Sequence, residues 1–221
     1  MARASSNDDH RHGAGNDALA LTHRGRPVPW VTQWTGEQPP VSSLVLQPVA
    51  GDRPLRYASP TLADRDRRGV LWLREAHAPG TGEPLWAQVN GPRQRLAMRT
   101  RRCQVCGQPQ PPRTPTPFLF SRLELAALRH REAAGGPATT TTPPCCPACW
   151  PAATRLCPHL IRHGAVPCQV TTLTIWGAYG NLYPADGQHH HDIHLPHDDP
   201  RLPRLLGKQA IVRLDGIQQV G

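Results

Sequence analysis

Cys103-Gln-Val-Cys106-Gly107 and, about forty residues later, Cys145-Cys146-Pro-Ala-Cys149 are the stretches whose reading decides how the middle of this chain folds. Each contains a C-x-x-C pair, Cys103 with Cys106 and Cys146 with Cys149. Four thiolates from two such pairs close a tetrahedron around one zinc ion, at roughly 2.3 Å per Zn–S bond. Cys145 is an alternate ligand. Its use would lengthen the second spacing to C-x-x-x-C, and the two-residue spacing of structural sites favours Cys146. The chain has seven cysteines, an odd number, arranged in pairs behind an N-terminus with no apolar leader, and this favours metal over disulfides.

Outward from the cysteines the pattern is short elements cut by proline and glycine. Pro92 suits the first turn of a helix through Arg93 to Arg102, which carries Arg93, Arg95, Arg99, Arg101 and Arg102 against only Leu96, Ala97 and Met98 as apolar contacts. After the first pair, the proline-rich stretch 107–117 leads to a minimal strand at Phe118-Leu-Phe120. Ser121 and Glu124 match a capping box, predicting a helix from 122 to about 134 that stops at Gly135-Gly136. The Thr139–Thr142 run and Pro143-Pro144 read as a linker. Pro147 opens the next helix, with Cys149, Ala153, Leu156 and Leu160 as one stripe and a break near Cys157 imposed by Pro158. Val, Thr, Ile and Trp crowd 165–176, a strand closed by Gly177-Ala-Tyr-Gly180.

A first C-x-x-C-G in a loop and a second C-x-x-C at a helix N-terminus resembles a treble-clef zinc finger over residues 100 to 163. The resemblance implies that Cys103 and Cys106 are knuckle ligands with Gly107 supplying the turn after them. It implies that Cys146 and Cys149 are ligands in the first helical turn, where amide groups and the helix dipole favour thiolate. The chain also looks like uncharacterised zinc-knuckle proteins of GC-rich bacteria and their phages, which implies no activity. HNH nucleases, a metal-dependent treble-clef class, carry an Asp-His pair. Here only His130 lies between Cys106 and Cys146, without an adjacent aspartate, and the sequence departs from that pattern. No phosphate loop, dinucleotide fingerprint or hydrolase elbow is present.

Composition limits the remaining readings. With 26 Pro, 19 Gly and only two Phe and three Tyr, long helices are excluded and loops around a compact centre are expected. The net charge of +9 suggests an anionic partner, DNA or RNA, yet Lys208 is the only lysine among 25 basic residues, a bias that a GC-rich genome produces whatever the function. No stretch approaches the ~20 apolar residues of a membrane span, so the chain reads as cytoplasmic with no membrane partner.

Toward the ends, residues 1 to about 26 lack any apolar period and read as a disordered tail. Trp30 and Trp34, in Arg26-Pro-Val-Pro-Trp-Val-Thr-Gln-Trp34, suit a wrapping arm or a protein-docking surface. Leu44–Val49 reads as an edge strand, and Val70–Leu73 with Leu85–Val89 as a β-hairpin. Five histidines between 189 and 197, beside Asp192, Asp198 and Asp199, form a polar tract that reads as a solvated loop with adventitious metal affinity. The expected architecture is α+β, short strands and two or three short helices around one structural zinc, with disordered termini. Its domain spans 27–180, followed by a His-rich loop and C-terminal segment at 181–221. The expected role is a non-enzymatic zinc-binding module that contacts nucleic acid through Arg93, Arg95, Arg99, Arg101 and Arg102. A structural or protein-interaction module is the alternative, and an HNH-type nuclease a distant third.

Overall fold

A computed structural model describes residues 21–38, 54–112, 114–184 and 188–220. Residues 1–20 of the expected tail and the expected strand at Leu44–Val49 lie outside these. The class is α+β. Strands β1 (Thr22–His23) and β2 (Arg26–Pro27) form a small antiparallel ribbon, so part of the expected tail is ordered against the body. The order continues with β3 (Thr32–Trp34), β4 (Leu71–Trp72), β5 (Pro84–Val89), α1 (Gly91–Thr100), β6 (Thr116–Ser121), α2 (Arg122–Ala133) and β7 (Thr139–Thr140). It ends with α3 (Trp150–Leu156), α4 (Pro158–His163), β8 (Ala165–Leu182), β9 (His190–Pro196) and β10 (Leu205–Gln219).

The main sheet is six-stranded, with the path β4-β10-β8-β6, β7 on β10 and β9 on β8. The expected hairpin of 70–73 with 85–89 does not form. β4 pairs in parallel with β10, while β5 pairs antiparallel with β3, because the Pro-Gly-Thr-Gly loop turns β5 onto the tryptophan arm. β8 runs straight through Gly177 and Gly180, where glycine lets neighbouring strands come close: a Cβ at either would lie 2.0 Å from a carbonyl oxygen, of Leu195 and Leu206 respectively. The C-terminal segment supplies β10, which lies between β4 and β8.

α1 and α2 cover one face of the sheet. Met98 of α1 and Leu125 and Leu128 of α2 pack on Phe118 and Phe120 of β6, Val166, Cys168 and Val170 of β8, and Ala210, Val212 and Leu214 of β10. Gln94 fixes α1 to the sheet although it is fully buried. Its carbonyl oxygen accepts from the Ala210 amide at 2.9 Å, and its amide nitrogen donates to the Ala210 and Thr141 carbonyls. A buried amide is tolerated here because its polar atoms are paired.

Local chemistry explains the helix ends. Asn90 Oδ1 accepts from the Arg93 amide and Pro92 sits in the first turn of α1. Ser121 Oγ accepts from the Glu124 amide at 3.1 Å, half of the expected capping box. The Glu124 carboxylate turns instead to the hydroxyls of Thr140 and Thr142, at 2.7 and 2.8 Å, and ties α2 to the threonine run. The predicted break at Cys157 separates α3 from α4.

Candidate metal centre

β6 places the site, because its alternation sends neighbouring side chains to opposite sides. Phe118 and Phe120 enter the sheet core, while Leu119 points the other way and joins Cys103, Val105, Cys145, Cys149 and Leu160 in a second apolar cluster. The two C-x-x-C pairs meet there. The sulfurs of Cys103, Cys106, Cys146 and Cys149 all lie within 4.8 Å of one another, with Cys103 and Cys149 buried and Cys106 and Cys146 half-buried. Cys106 and Cys146 Sγ are 3.8 Å apart, far beyond the ~2.05 Å of a disulfide and close to the ~3.8 Å edge of a tetrahedron with 2.3 Å bonds.

Three stretches of backbone converge to hold the sulfurs. After α1, Arg101 takes φ 53 and turns the chain into the first pair. Cys103 N donates to Gln108 O, and Gly107 N returns to Cys103 O. Gly107 is required twice over, since its φ is +73 and the Trp30 ring lies 2.9 Å from where a Cβ would stand. The tryptophan arm seals this turn: Trp30 and Val31 amides donate to Val105 and Gln104 carbonyls at 2.8 and 3.0 Å. The second pair is hung from the first and from β6, with Gln104 N donating to Pro144 O and Cys145 N to Pro117 O. Pro147–Cys149 forms a single 3-10 turn leading into α3, so Cys146 and Cys149 straddle a helix entry as expected.

The electrostatics of the sulfurs also point to a cation. Cys103 Sγ accepts from the amides of Val105 and Cys146, each at 3.4 Å. Hydrogen bonds from the Cys145 and Cys146 thiols hold it well below the usual thiol range despite burial. The same bonds to Cys103, with burial, push Cys145 and Cys146 upward. Burial first, and the Cys103 charge second, push Cys149 up to about 12. Burial and the Cys103 charge oppose further thiolates here, and a dication beside them would offset both. The four sulfurs suit zinc by softness, number and separation, and they fill its tetrahedron without leaving a position for water.

Cys145 is buried beside Cys103, yet it stands outside the four-sulfur set; Cys146 supplies the fourth sulfur. Cys157 packs half-buried on the cluster, and Cys168 is a core residue of β8. Among the described residues, no three of the histidines and aspartates of 189–199 bring ligand atoms together as the cysteines do. Most of this tract is β9, a strand paired along β8, and the expected loop is corrected there by the cross-strand pairs Tyr179–His194 and Ala178–Leu195.

The arginine segment is divided by burial. Arg93, expected to face a polyanion, points inward: its side chain is 1% exposed and forms a forked ion pair with Glu37, itself fully buried. Arg95 stands over Trp72, its Cζ 4.4 Å from the ring centre, and donates to Lys208 O. Arg99 is exposed. Arg101 and Arg102 are half-buried, each anchored by one bond to a carbonyl, of Thr114 and Gly107. Trp34 is 1% exposed and Trp30 covers Gly107, so the wrapping-arm reading fits both. Sequence reasoning missed Glu37 and Glu75, whose roles depend on partners distant in the chain and leave no local signature. Among the described residues no helix is long and apolar enough to cross a membrane. Comparison with protein-family models, curated proteins and solved structures finds no match for the chain.

Proposed function

We propose that this chain is a non-enzymatic binding module, built around a structural zinc ion held by Cys103, Cys106, Cys146 and Cys149, that contacts nucleic acid with the arginines beside that site. The observation that carries the zinc reading is the convergence of four sulfurs within 4.8 Å from two segments about forty residues apart in the chain. A closed four-thiolate site contributes folding energy and has no open coordination position for substrate. The treble-clef likeness rests on the knuckle at 103–107 and the helix entry at 146–149.

Nucleic-acid contact is supported by the net charge of +9 and by Arg99, Arg101 and Arg102 clustered at the C-terminal end of α1. One carbonyl bond fixes the direction of Arg101 and of Arg102 without consuming the five donors of a guanidinium. Phosphates at this end would meet cations that the metal site holds in place. A protein-interaction module is the second reading, favoured by Leu156 and Ile161, 54% and 62% exposed on the helices that follow the metal ligands.

The test is elemental analysis of tag-free protein joined to a binding titration. One zinc per chain that is lost in Cys146→Ser and kept in Cys145→Ser supports the site. Affinity for DNA or RNA that falls steeply with salt, and whose salt slope drops by about two in Arg99→Ala with Arg101→Ala, supports the contact. Absence of zinc from folded protein would overturn the first part. A discrete protein complex with no salt-dependent nucleic-acid binding would favour the second reading.

A further inference from the structure

Both neighbours of β8 break register around Gly180. On β10, Gly207 pairs with Gly180 and Gln209 with Tyr179, which leaves Lys208 as the extra residue of a β-bulge. On β9, Ile193 pairs with Gly180 and His190 with Leu182, so His191 and Asp192 stand opposite Asn181 alone. A bulge re-aims the side chain of its extra residue, and two bulges flanking one point on a strand re-aim two. Asp192 takes φ 57 to fit its bulge, a left-handed conformation that costs a non-glycine residue free energy.

The two re-aimed side chains converge on Tyr179. Tyr179 Oη donates to Asp192 Oδ1, and Lys208 Nζ lies 3.5 Å from the same oxygen. Lys208 Nζ also stands 5.7 Å from the centre of the Tyr179 ring. The His194 ring, on β9, is 5.0 Å from the Tyr179 ring and tilted 36° to it. Lys208 is the only lysine of the chain. Burial, followed by the bond to Asp192, pushes Tyr179 up to about 12, which keeps the phenol protonated near neutral pH.

This group contributes little to the apolar core. Asp192 and His194 are exposed, and the Lys208 side chain is 33% exposed, while the arrangement uses two bulges and a left-handed aspartate. Local irregularity that buries little apolar surface is the pattern of a binding site rather than of packing. Arg131, anchored on Thr139 O at 2.7 Å, adds a cation near His194.

The chemistry selects the ligand. A free phosphate is opposed by the carboxylate at the centre of the group. A nucleobase satisfies all of it, with a π-face for aromatic rings and a polar edge for an adjacent ammonium and carboxylate. An open strand surface reaches bases only where they are unpaired. We infer that Tyr179, His194, Lys208 and Asp192 form a platform for one base of a single-stranded nucleic acid, with the rings stacking on the base and Lys208 and Asp192 reading its edge. This rests on the nucleic-acid reading above and specifies its single-stranded form.

The solitary lysine provides the test on the zinc-loaded full chain without any substitution. Reductive methylation with ¹³C-formaldehyde gives Lys208 one dimethylamine resonance, distinct from that of the terminal amine. Mixed-sequence twelve-nucleotide single strands, of DNA and of RNA, should shift that resonance in a saturable way, and the blunt duplex of the same sequence should not. In parallel, Tyr179→Ala should weaken single-strand affinity by about tenfold or more, as expected for loss of one stacked base, with duplex affinity unchanged. If Tyr179→Ala loses zinc or structure, Lys208→Ala and Asp192→Asn take its place, and the resonance of the unsubstituted chain decides in any case. A resonance that stays still while single strands bind and respond to Arg99→Ala overturns the platform and leaves the broader reading intact. A resonance that follows duplex as strongly as single strand overturns base recognition. No binding of any nucleic acid overturns both.

Discussion

Arg93 and Glu37, 56 residues apart in the chain, form a buried two-pronged ion pair in which their side chains are 1% and 0% exposed. The Glu37 carboxylate also accepts from the Trp34 and Ala78 amides, and Arg93 donates to Thr32 O. Burial pushes Glu37 up, but the Arg93 bond, the Trp34 amide and the Arg93 charge outweigh it, and the carboxyl is held below its usual value. The pair binds the tryptophan arm to α1 and thereby sets the arm against the metal turn. Arg93→Ala leaves a buried carboxylate without its partner and should cost about 3–5 kcal/mol. The double substitution Arg93→Met, Glu37→Leu should recover most of that loss. Urea midpoints of the three proteins decide it, and a neutral Arg93→Ala would show that the pair does not hold the arm.

Metal affinity should fall with pH. Cys146 and Cys149 have raised thiol pKa values, Cys149 to about 12, so each gives up a proton when zinc binds near neutral pH. Mass action then requires the apparent zinc affinity to drop by at least about a hundredfold per pH unit on acidification. Competition with a chromogenic chelator between pH 6 and 8 measures the slope, and a flat profile would contradict the thiol states described.

Gly107→Ala should weaken both fold and metal retention. The substitution places a side chain at φ +73 and a Cβ 2.9 Å from the Trp30 ring. The backbone strain alone is worth about 1–3 kcal/mol, and the displaced ring uncovers the turn. Zinc loss to a chelator should accelerate in this variant; a rate equal to that of the original chain would show that the ring does not cover the site.

Phe118 and Leu119 should separate the two cores although they are adjacent. Leu119→Ala removes packing from the cysteine cluster and should cost about 2–5 kcal/mol while speeding zinc release. Phe118→Ala opens the sheet core at about 3–5 kcal/mol and should leave zinc release unchanged under conditions where the chain stays folded. Equal release rates in both variants would argue against separate cores.

Glu75 should give stability a pH dependence of unusual sign. Its carboxylate accepts from the Gly91 amide at 2.6 Å and from Gln33 Nε2 at 2.7 Å, yet burial pushes its pKa up to about 7. The unfolded chain ionises this group near 4.5, so between pH ~4.5 and ~7 the folded state binds the additional proton, and Glu75 reduces stability as pH rises through that window. Above ~7 its contribution is constant. Denaturation midpoints of Glu75→Gln and the original chain should diverge in slope across this window and run parallel above it.

The cysteine site was legible in the sequence because its signal is local, two C-x-x-C pairs whose spacing follows from the ligand geometry of one ion. The same holds for the helix start at Pro92, the Ser121 cap, the break at Pro158 and the α+β class, each set by neighbours within a few residues. Strand partnership was not legible. β4 leaves β5 for β10, and β10 itself lies inside the sheet, since pairing depends on which distant edge is free. The arginine segment shows the same limit. Five guanidinium groups look alike in sequence, but Glu37 and Trp72, far away along the chain, draw Arg93 inward and Arg95 over an indole ring. Sequence alone determined where a metal could be held and where helices start and stop, because those depend on chemistry between near neighbours. Only the tertiary structure decided which cations face solvent and which side chains the paired bulges gather around Tyr179, because both depend on burial and register across the sheet.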